Sequence, residues 1–360
     1  MWKIRSLQRF FLVVLVLVMV GLLLDATAEA AQPSNPRLAE IIKKAAQEGE
    51  IVYQGPDPAT GLPTADMVRD MQALTEKHFG VTIRIKVDNA LTFPASVVKV
   101  LTEVKAGAPP TFDFMIQTPV SGAPLYKDKL LEAVPWVELF PHVRKTDLEV
   151  HGLALVQGTQ FVLPEYNTQL VKPADAPKRW EDFLDAKWKG KLGLLVNADP
   201  WAFLSQPNAW GEEKAFAYLR KIMELNPKLG RFPEVHQRVL SGETPIAWAQ
   251  FREAVLASKQ KGAPVDVADA VEPSFLWIYT AMIPKGARHT NAAILLAAAM
   301  ATDEGQNLMF KYQNMSSMFR PNTPAAKFAA ARKYIRPDLD FHLQAKDDLW
   351  KRISAILIRK

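Results

Sequence analysis

Side chains suited to holding a small molecule gather where short apolar runs give way to helix starts. Residues 246–248 read as a strand and 251–260 as a helix, leaving Trp248, Gln250, Phe251 and Arg252 at a strand-to-helix turn. An arginine at a helix start adds to the partial positive charge of the helix N-terminus and favours an anion such as a carboxylate, phosphonate or phosphate. Arg252 reads equally as a solvated first-turn residue, because arginines are mostly exposed. The loop 197–203 contributes Asn197, Asp199, Trp201 and Phe203. Together with Trp248, these aromatics could sandwich an organic group between apolar walls carrying a few placed polar atoms. Trp201 and Phe203 could also simply pack beneath their loop.

Catalytic chemistry finds no comparable cluster. Ser96-Val97-Val98-Lys99 and Ser258-Lys259-Gln260-Lys261 match Ser-x-x-Lys, but neither Ser-Asp-Asn nor Lys-Thr-Gly accompanies them. Gly-x-Ser-x-Gly, His-Glu-x-x-His and a phosphate-binding Walker loop are absent from the sequence. The six histidines (His78, His142, His151, His236, His289 and His342) lack metal-ligand spacing, and the chain has no cysteine. The expectation is therefore a binding protein with no catalytic residues, no cofactor and no metal site.

The elements that position these residues follow from periodicity. Asn35-Pro36 caps a helical stripe of Leu38, Ile41, Ile42 and Ala45, followed by a short strand at 51–53. Met67, Met71 and Leu74 give a second helix, and Val81, Ile83, Ile85 and Val87 alternate as a strand. A third helix around Val97, Val98, Leu101 and Val104 leads to a strand at 112–116. This βαβαβ order builds a parallel sheet whose ligands sit beyond the carboxyl ends of the strands. Residues 54–57, 88–92 and 117–121 become candidate contacts on topology, with Gln54, Asp57, Asn89, Gln117 and Thr118 as the candidate side chains. Each taken singly also reads as a turn or helix cap. A second α/β unit spans about 175–267: short helix 180–184, strand 192–196, helix 212–225, strand 246–248, helix 251–260 and last strand 265–267. The apolar run 275–283 suits a buried strand passing between lobes, with a partner strand around 161–163. Helices near 291–301 and 303–312 follow.

The composition suits an ordinary globular protein with two cores: 360 residues, 49% hydrophobic and 23% charged. Lys3, Arg5 and Arg9 precede an apolar run at 10–24, and two overlapping small-x-small sites end at Ala28 and Ala30. These features predict a cleaved secretory signal over residues 1–30, the apolar run falling short of the roughly twenty residues that span a bilayer. The absence of cysteine fits an oxidising compartment and rules out a lipid-modified anchor. A formal charge of +6, or about +4 without the signal, gives nucleic-acid binding no support.

Several blocks resemble a known family. Residues 45–50 and 103–109 resemble the N-terminal lobe of periplasmic solute-binding proteins. Tyr166-Asn167-Thr168 and the run 176–191, Ala-Pro-Lys-Arg-Trp-Glu-Asp-Phe-Leu-Asp-Ala-Lys-Trp-Lys-Gly-Lys, are similar to a signature of the iron(III)-binding-like branch of ABC-importer receptors. Gly242-Glu243, residues 261–265, Asn291-Ala292-Ala293 and residues 303–306 complete the series in order. The resemblance implies an α/β type II periplasmic binding protein, with two α/β lobes joined by crossing hinge strands and the ligand cleft between them. The lobes are expected at 31–155 with about 280–325, and at 156–279. A C-terminal helical segment, 326–360, is expected to pack on them. Tyr166, in the signature block, joins the candidate ligand contacts.

Iron-binding members of the branch carry adjacent tyrosines between the Gly-Glu and Gly-Ala-Pro-Val blocks, phenolate being a hard donor suited to iron(III). Residues 244–254 of this chain contain no tyrosine. The expectation is a periplasmic, monomeric receptor for a small, anionic organic solute, partnered by an inner-membrane ABC permease. Two alternatives stay open: a receptor for iron(III) or a ferric complex, and a ligand sensor for a membrane kinase.

Overall fold

The computed structural model describes residues 35–55 and 63–358. The expected signal at 1–30 and Asp57 lie outside the described residues. Helix α1 (Pro36–Glu48) starts on Asn35, whose Oδ1 accepts from Arg37 N at 2.9 Å. Strand β1 (Glu50–Gln54) follows, then α2 (Ala65–Phe79), β2 (Arg84–Val87), α3 (Phe93–Lys105) and β3 (Phe114–Gln117). Helix α2 shows how local sequence sets an element. The Thr64 hydroxyl accepts from Met67 N at 3.1 Å to open it, and Gly80, at φ 68°, closes it. Its buried stripe is Met67, Met71, Leu74 and Thr75, the spacing of one helix face.

Short helices α4 (Ala123–Lys127) and α5 (Trp136–Leu139) and the two-residue β4 (Leu148–Glu149) lead into β5 (Ala154–Asn167), fourteen residues long and buried throughout. The other half of the sheet comprises β6 (Leu192–Leu195), α6 (Asp199–Leu204), α7 (Glu212–Glu224), β7 (Lys228–Gly230), α8 (Phe232–Leu240), β8 (Ile246–Phe251), α9 (Arg252–Gln260) and β9 (Val265–Val267). The chain returns through β10 (Ser274–Met282) to α10 (Thr290–Met300) and α11 (Asp303–Gln313). It ends with α12 (Pro324–Ala330), β11 (Tyr334–Ile335) and α13 (Leu339–Leu357), the last lying on α6 and α7.

The strands form one sheet in the order β2-β1-β3-β10-β5-β8-β6-β7, with β4 and β9 beside β5 and β11 beside β10. β1 runs parallel to β2 and β3, and β6 parallel to β7 and β8, whereas β5 is antiparallel to its neighbours and β10 is antiparallel to β3 and β5 but parallel to the short β11. Two parallel halves are thus joined by a central antiparallel pair, running from Val162↔Phe275 to Leu155↔Ala281 with a register shift between Tyr279 and Thr280. That pair contains the crossing segments expected at 161–163 and 275–279. The β5–β8 register shifts between Leu163 and Glu165, at Pro164, which has no N–H to give to the ladder.

Local differences have physical reasons. Val81 and Ile83 are buried as expected, but the paired strand begins only at Arg84. The expected last strand, β9, runs antiparallel on β5. The unit β7–α8 was not expected from periodicity, because its strand is only three residues long. Among the described residues no helix is long and apolar enough to cross a membrane.

Candidate ligand-binding site

The strand ends expected to hold a ligand surround a cavity of about 330 Å³. Thr92, Phe93 and Pro94 border it at the start of α3, and Thr118 and Ser121 just beyond β3. From the other half come Val196, Asn197 and Asp199 after β6, Arg231 and Phe232 after β7, and Phe251 at the end of β8. Trp277 and Tyr279 of the central strand β10 also border it. Ligands of parallel sheets sit at such carboxyl ends, where helices begin.

Each wall is braced from behind. Gln117, fully buried, donates from Nε2 to Gln54 Oε1 at 2.9 Å and to Ser96 Oγ at 3.0 Å. The Ser121 hydroxyl reaches Gln117 Oε1 at 2.9 Å, and Ser121 N donates to Thr118 Oγ1 at 3.0 Å. Gln54 and Gln117 therefore stand behind the wall and fix Thr118 and Ser121 at its surface. Asn89 ties strand ends together, its Oδ1 accepting from Gly55 N at 2.8 Å. A Cβ on Gly55 would come within 2.7 Å of that oxygen, so the close approach requires glycine. On the opposite wall Asp199 N donates to Asn197 Oδ1 at 2.8 Å, and Asp199 Oδ1 accepts from Trp350 Nε1 of α13 at 2.9 Å.

Of the residues expected to meet a ligand, Thr118 and Asp199 border the cavity, along with Phe251 at the strand-to-helix turn. The segments 88–92 and 117–121 also deliver Thr92 and Ser121. Trp201 and Trp248 are placed elsewhere. They are 1% and 0% exposed and stacked on each other, so the aromatic sandwich closes on itself within the core. Gln250 is buried, with Nε2 donating to Phe232 O at 2.7 Å and Oε1 accepting from Phe251 N at 2.8 Å. Arg252 turns away from the cavity: its guanidinium lies 4.2 Å over the Phe328 ring and 3.4 Å from Asp269. Tyr166 pairs with Ile246 and Asp266 along β5, and burial raises its phenol above the ordinary value.

Sequence reasoning missed Arg231, Phe232, Trp277 and Tyr279. A signal for the first two was present: Pro233 near a helix start, then Val235 and Val239 at i, i+4 spacing. Arg231 is exposed at the cavity edge, and its guanidinium makes no ion pair with any described residue. The aromatic lining falls into two groups. Phe232 stacks on Phe251 at 4.3 Å, Trp277 meets both edge-on, and Phe93 meets Tyr279 edge-on at 6.3 Å. Two helices, α3 and α8, start at the cavity from opposite halves; α3 has no side-chain cap, so its N-terminus adds partial positive charge, whereas at α8 the Glu234 carboxylate accepts from Arg231 N at 3.0 Å and offsets it.

The fold and part of the sequence are shared with known proteins. A 173-residue stretch, 44% of this chain, is 28% identical to an uncharacterised protein of Haemophilus influenzae and covers 46% of that relative's length. Iron-bound HitA from Pseudomonas aeruginosa superposes with a TM-score of 0.68 at 16% identity, covering 84% of this chain and 99% of that one. The Atu4243-GABA receptor gives 0.67 at 18% identity over 86% and 98%. An ABC transporter substrate-binding protein from Bradyrhizobium japonicum gives 0.66 at 18% over 86% and 99%. The sequence pattern of the bacterial extracellular solute-binding proteins matches residues 71–334. That match, on a type II periplasmic binding fold with its cavity at the junction of two parallel half-sheets, makes the chain a member of the bacterial extracellular solute-binding protein family.

Proposed function

We propose that the chain is the periplasmic receptor of an ABC importer, capturing a small organic anion as the two halves of the sheet close on the cavity and passing it unaltered to an inner-membrane permease. The observation that carries the anion is Arg231, exposed at the cavity edge with its guanidinium in no ion pair with a described residue, although the Glu234 carboxylate accepts from its backbone N at 3.0 Å, and opposite it the start of α3, which has no side-chain cap. The aromatic lining supports an organic ligand over a bare ion. Among the described residues, Asp199 is the lone carboxylate of the lining. Among the described residues, no three His, Asp or Glu side chains gather as a metal site would need. One protein of this fold was solved with iron and another is named a GABA receptor, so the fold alone leaves the ligand open. Closure follows when the ligand makes contacts available only with both halves engaged.

The test is isothermal calorimetry of the purified protein against carboxylates, phosphonates, phosphate esters and ferric citrate. Tight binding of at least one organic anion, weakened at least tenfold by Arg231→Ala, is the expected result. Tight ferric binding with no response to organic anions overturns the reading.

A further inference from the structure

A second compartment of about 340 Å³ shares Phe232 and Phe251 with the aromatic cavity. It lies at the lower end of the size range of small-molecule pockets. Its polar lining differs in kind from that of the first compartment. Gln160 of β5, Gln250 of β8 and Gln313 at the end of α11 converge on it, and their exposures are 5%, 2% and 8%.

These buried carboxamides are only partly used by the protein. Gln250 spends its amide on the backbone of Phe232 and Phe251, the two residues standing between the compartments. Gln160 Oε1 accepts from the Tyr279 hydroxyl at 3.1 Å, while its Nε2 donates to no described residue. Gln313 uses neither end: its Nε2 and Oε1 are both buried with no hydrogen-bond partner. Buried polar atoms are nearly always paired, so an amide left unpaired at a pocket wall points to a ligand partner. The ionisable groups here are already engaged. His236 holds Glu165 Oε2 at 2.7 Å and Ser258 Oγ at 2.9 Å, and the Tyr312 hydroxyl donates to Asp70 at 2.6 Å.

Carboxamides offer a donor and an acceptor without charge, and a hydroxyl offers the same pair. We infer that the second compartment binds the neutral, hydroxyl-bearing part of the solute. The full ligand is then an anionic polyol such as a sugar acid or sugar phosphate, its anion at Arg231 and its hydroxyls at Gln160 and Gln313. The inference rests on the anion reading above for the Arg231 half and stands on its own for the amide half.

The experiment is calorimetry with glucuronate and glucose 6-phosphate as two-part probes, and glucose, inorganic phosphate and benzoate as controls, on wild type, Arg231→Ala, Gln160→Leu and Gln313→Leu. At least one two-part probe is expected to bind tenfold or more tightly than every control. Both glutamine variants should weaken that probe at least fivefold and leave benzoate and phosphate unchanged. Gln313→Leu removes an unpaired amide, so it should fold and raise the Tm of the ligand-free protein. Benzoate binding as tightly as glucuronate, with both glutamine variants silent, overturns this inference and leaves the anion reading standing. Glucose binding that is insensitive to Arg231→Ala overturns the anion reading and retains the amide compartment. Failure of every probe to bind overturns the two-part ligand.

Discussion

Trp201 lies flat on Trp248, with ring centroids 4.0 Å apart and planes 7° from parallel. Trp180 joins them at 5.0 Å from Trp248, whose Nε1 donates to the Tyr218 hydroxyl at 3.3 Å. The stack thus locks α6 against β8 beneath the wall that carries Asn197 and Asp199. Truncating a core aromatic to alanine costs about 3–5 kcal/mol, transfer and cavity together. Trp248→Ala is expected to lose about that much in chemical denaturation. Ligand affinity, measured where the variant remains folded, should hold. A large affinity loss in a fully folded variant would return Trp248 to the site.

Under the proposed reading, the anion contact that the sequence offered for Arg252 passes to Arg231. Arg252 is spent on Phe328, Asp269 and Glu253, with its side chain 21% exposed. Arg252→Ala should therefore lower stability by about 1 kcal/mol, in the range of a partly desolvated cation–π contact, and leave affinity unchanged. Arg231→Ala should do the reverse. Denaturation curves and calorimetry on both variants decide the assignment, and equal effects on affinity would refute it.

Burial raises the Glu253 carboxyl from 4.5 to about 7. Its Oε2 accepts from Phe161 N at 3.4 Å, and Arg252 stands 3.8 Å from Oε1, too little to offset the lost hydration. The folded state therefore holds this proton more tightly than the unfolded chain. The stability this contributes is complete below 4.5 and is lost as pH rises through about 7. Relative to wild type, Glu253→Gln should become more stable as pH rises across that window, by no more than about 3 kcal/mol. Parallel pH dependences for the two proteins would contradict the shift.

Why some of this was legible in the sequence and some was not comes down to particular residues. Alternation at Ile83 and Ile85, capping at Asn35 and the apolar run of β10 each have a local cause, and they carried the two-half fold. β8, by contrast, is buried along its whole length, so no polar–apolar alternation tells which of Trp248, Gln250 and Phe251 meets the cavity. Arg252 sits at a helix start, yet its direction is set by Phe328, seventy-six positions away in the chain. β7 is too short for a period to show, and the residues that follow it, Arg231 and Phe232, form part of the cavity edge.

Gln117 joins the ends of two strands to the cavity wall, and its amide can be tested as a unit. Gln117→Leu leaves Gln54 Oε1 buried without its donor and removes the anchor of Ser121. Leaving one buried partner unsatisfied costs about 1–3 kcal/mol, whereas replacing both partners by apolar groups of similar shape is nearly neutral. The single variant should therefore be destabilised by about that amount, and adding Gln54→Leu should recover most of it. Affinity should not recover with stability, because Ser121 still lacks the oxygen that fixes its hydroxyl at the wall. Stability from denaturant midpoints and affinity from calorimetry on wild type, both singles and the double variant separate the two effects. If the double variant regains wild-type affinity, Gln117 serves the core and not the wall.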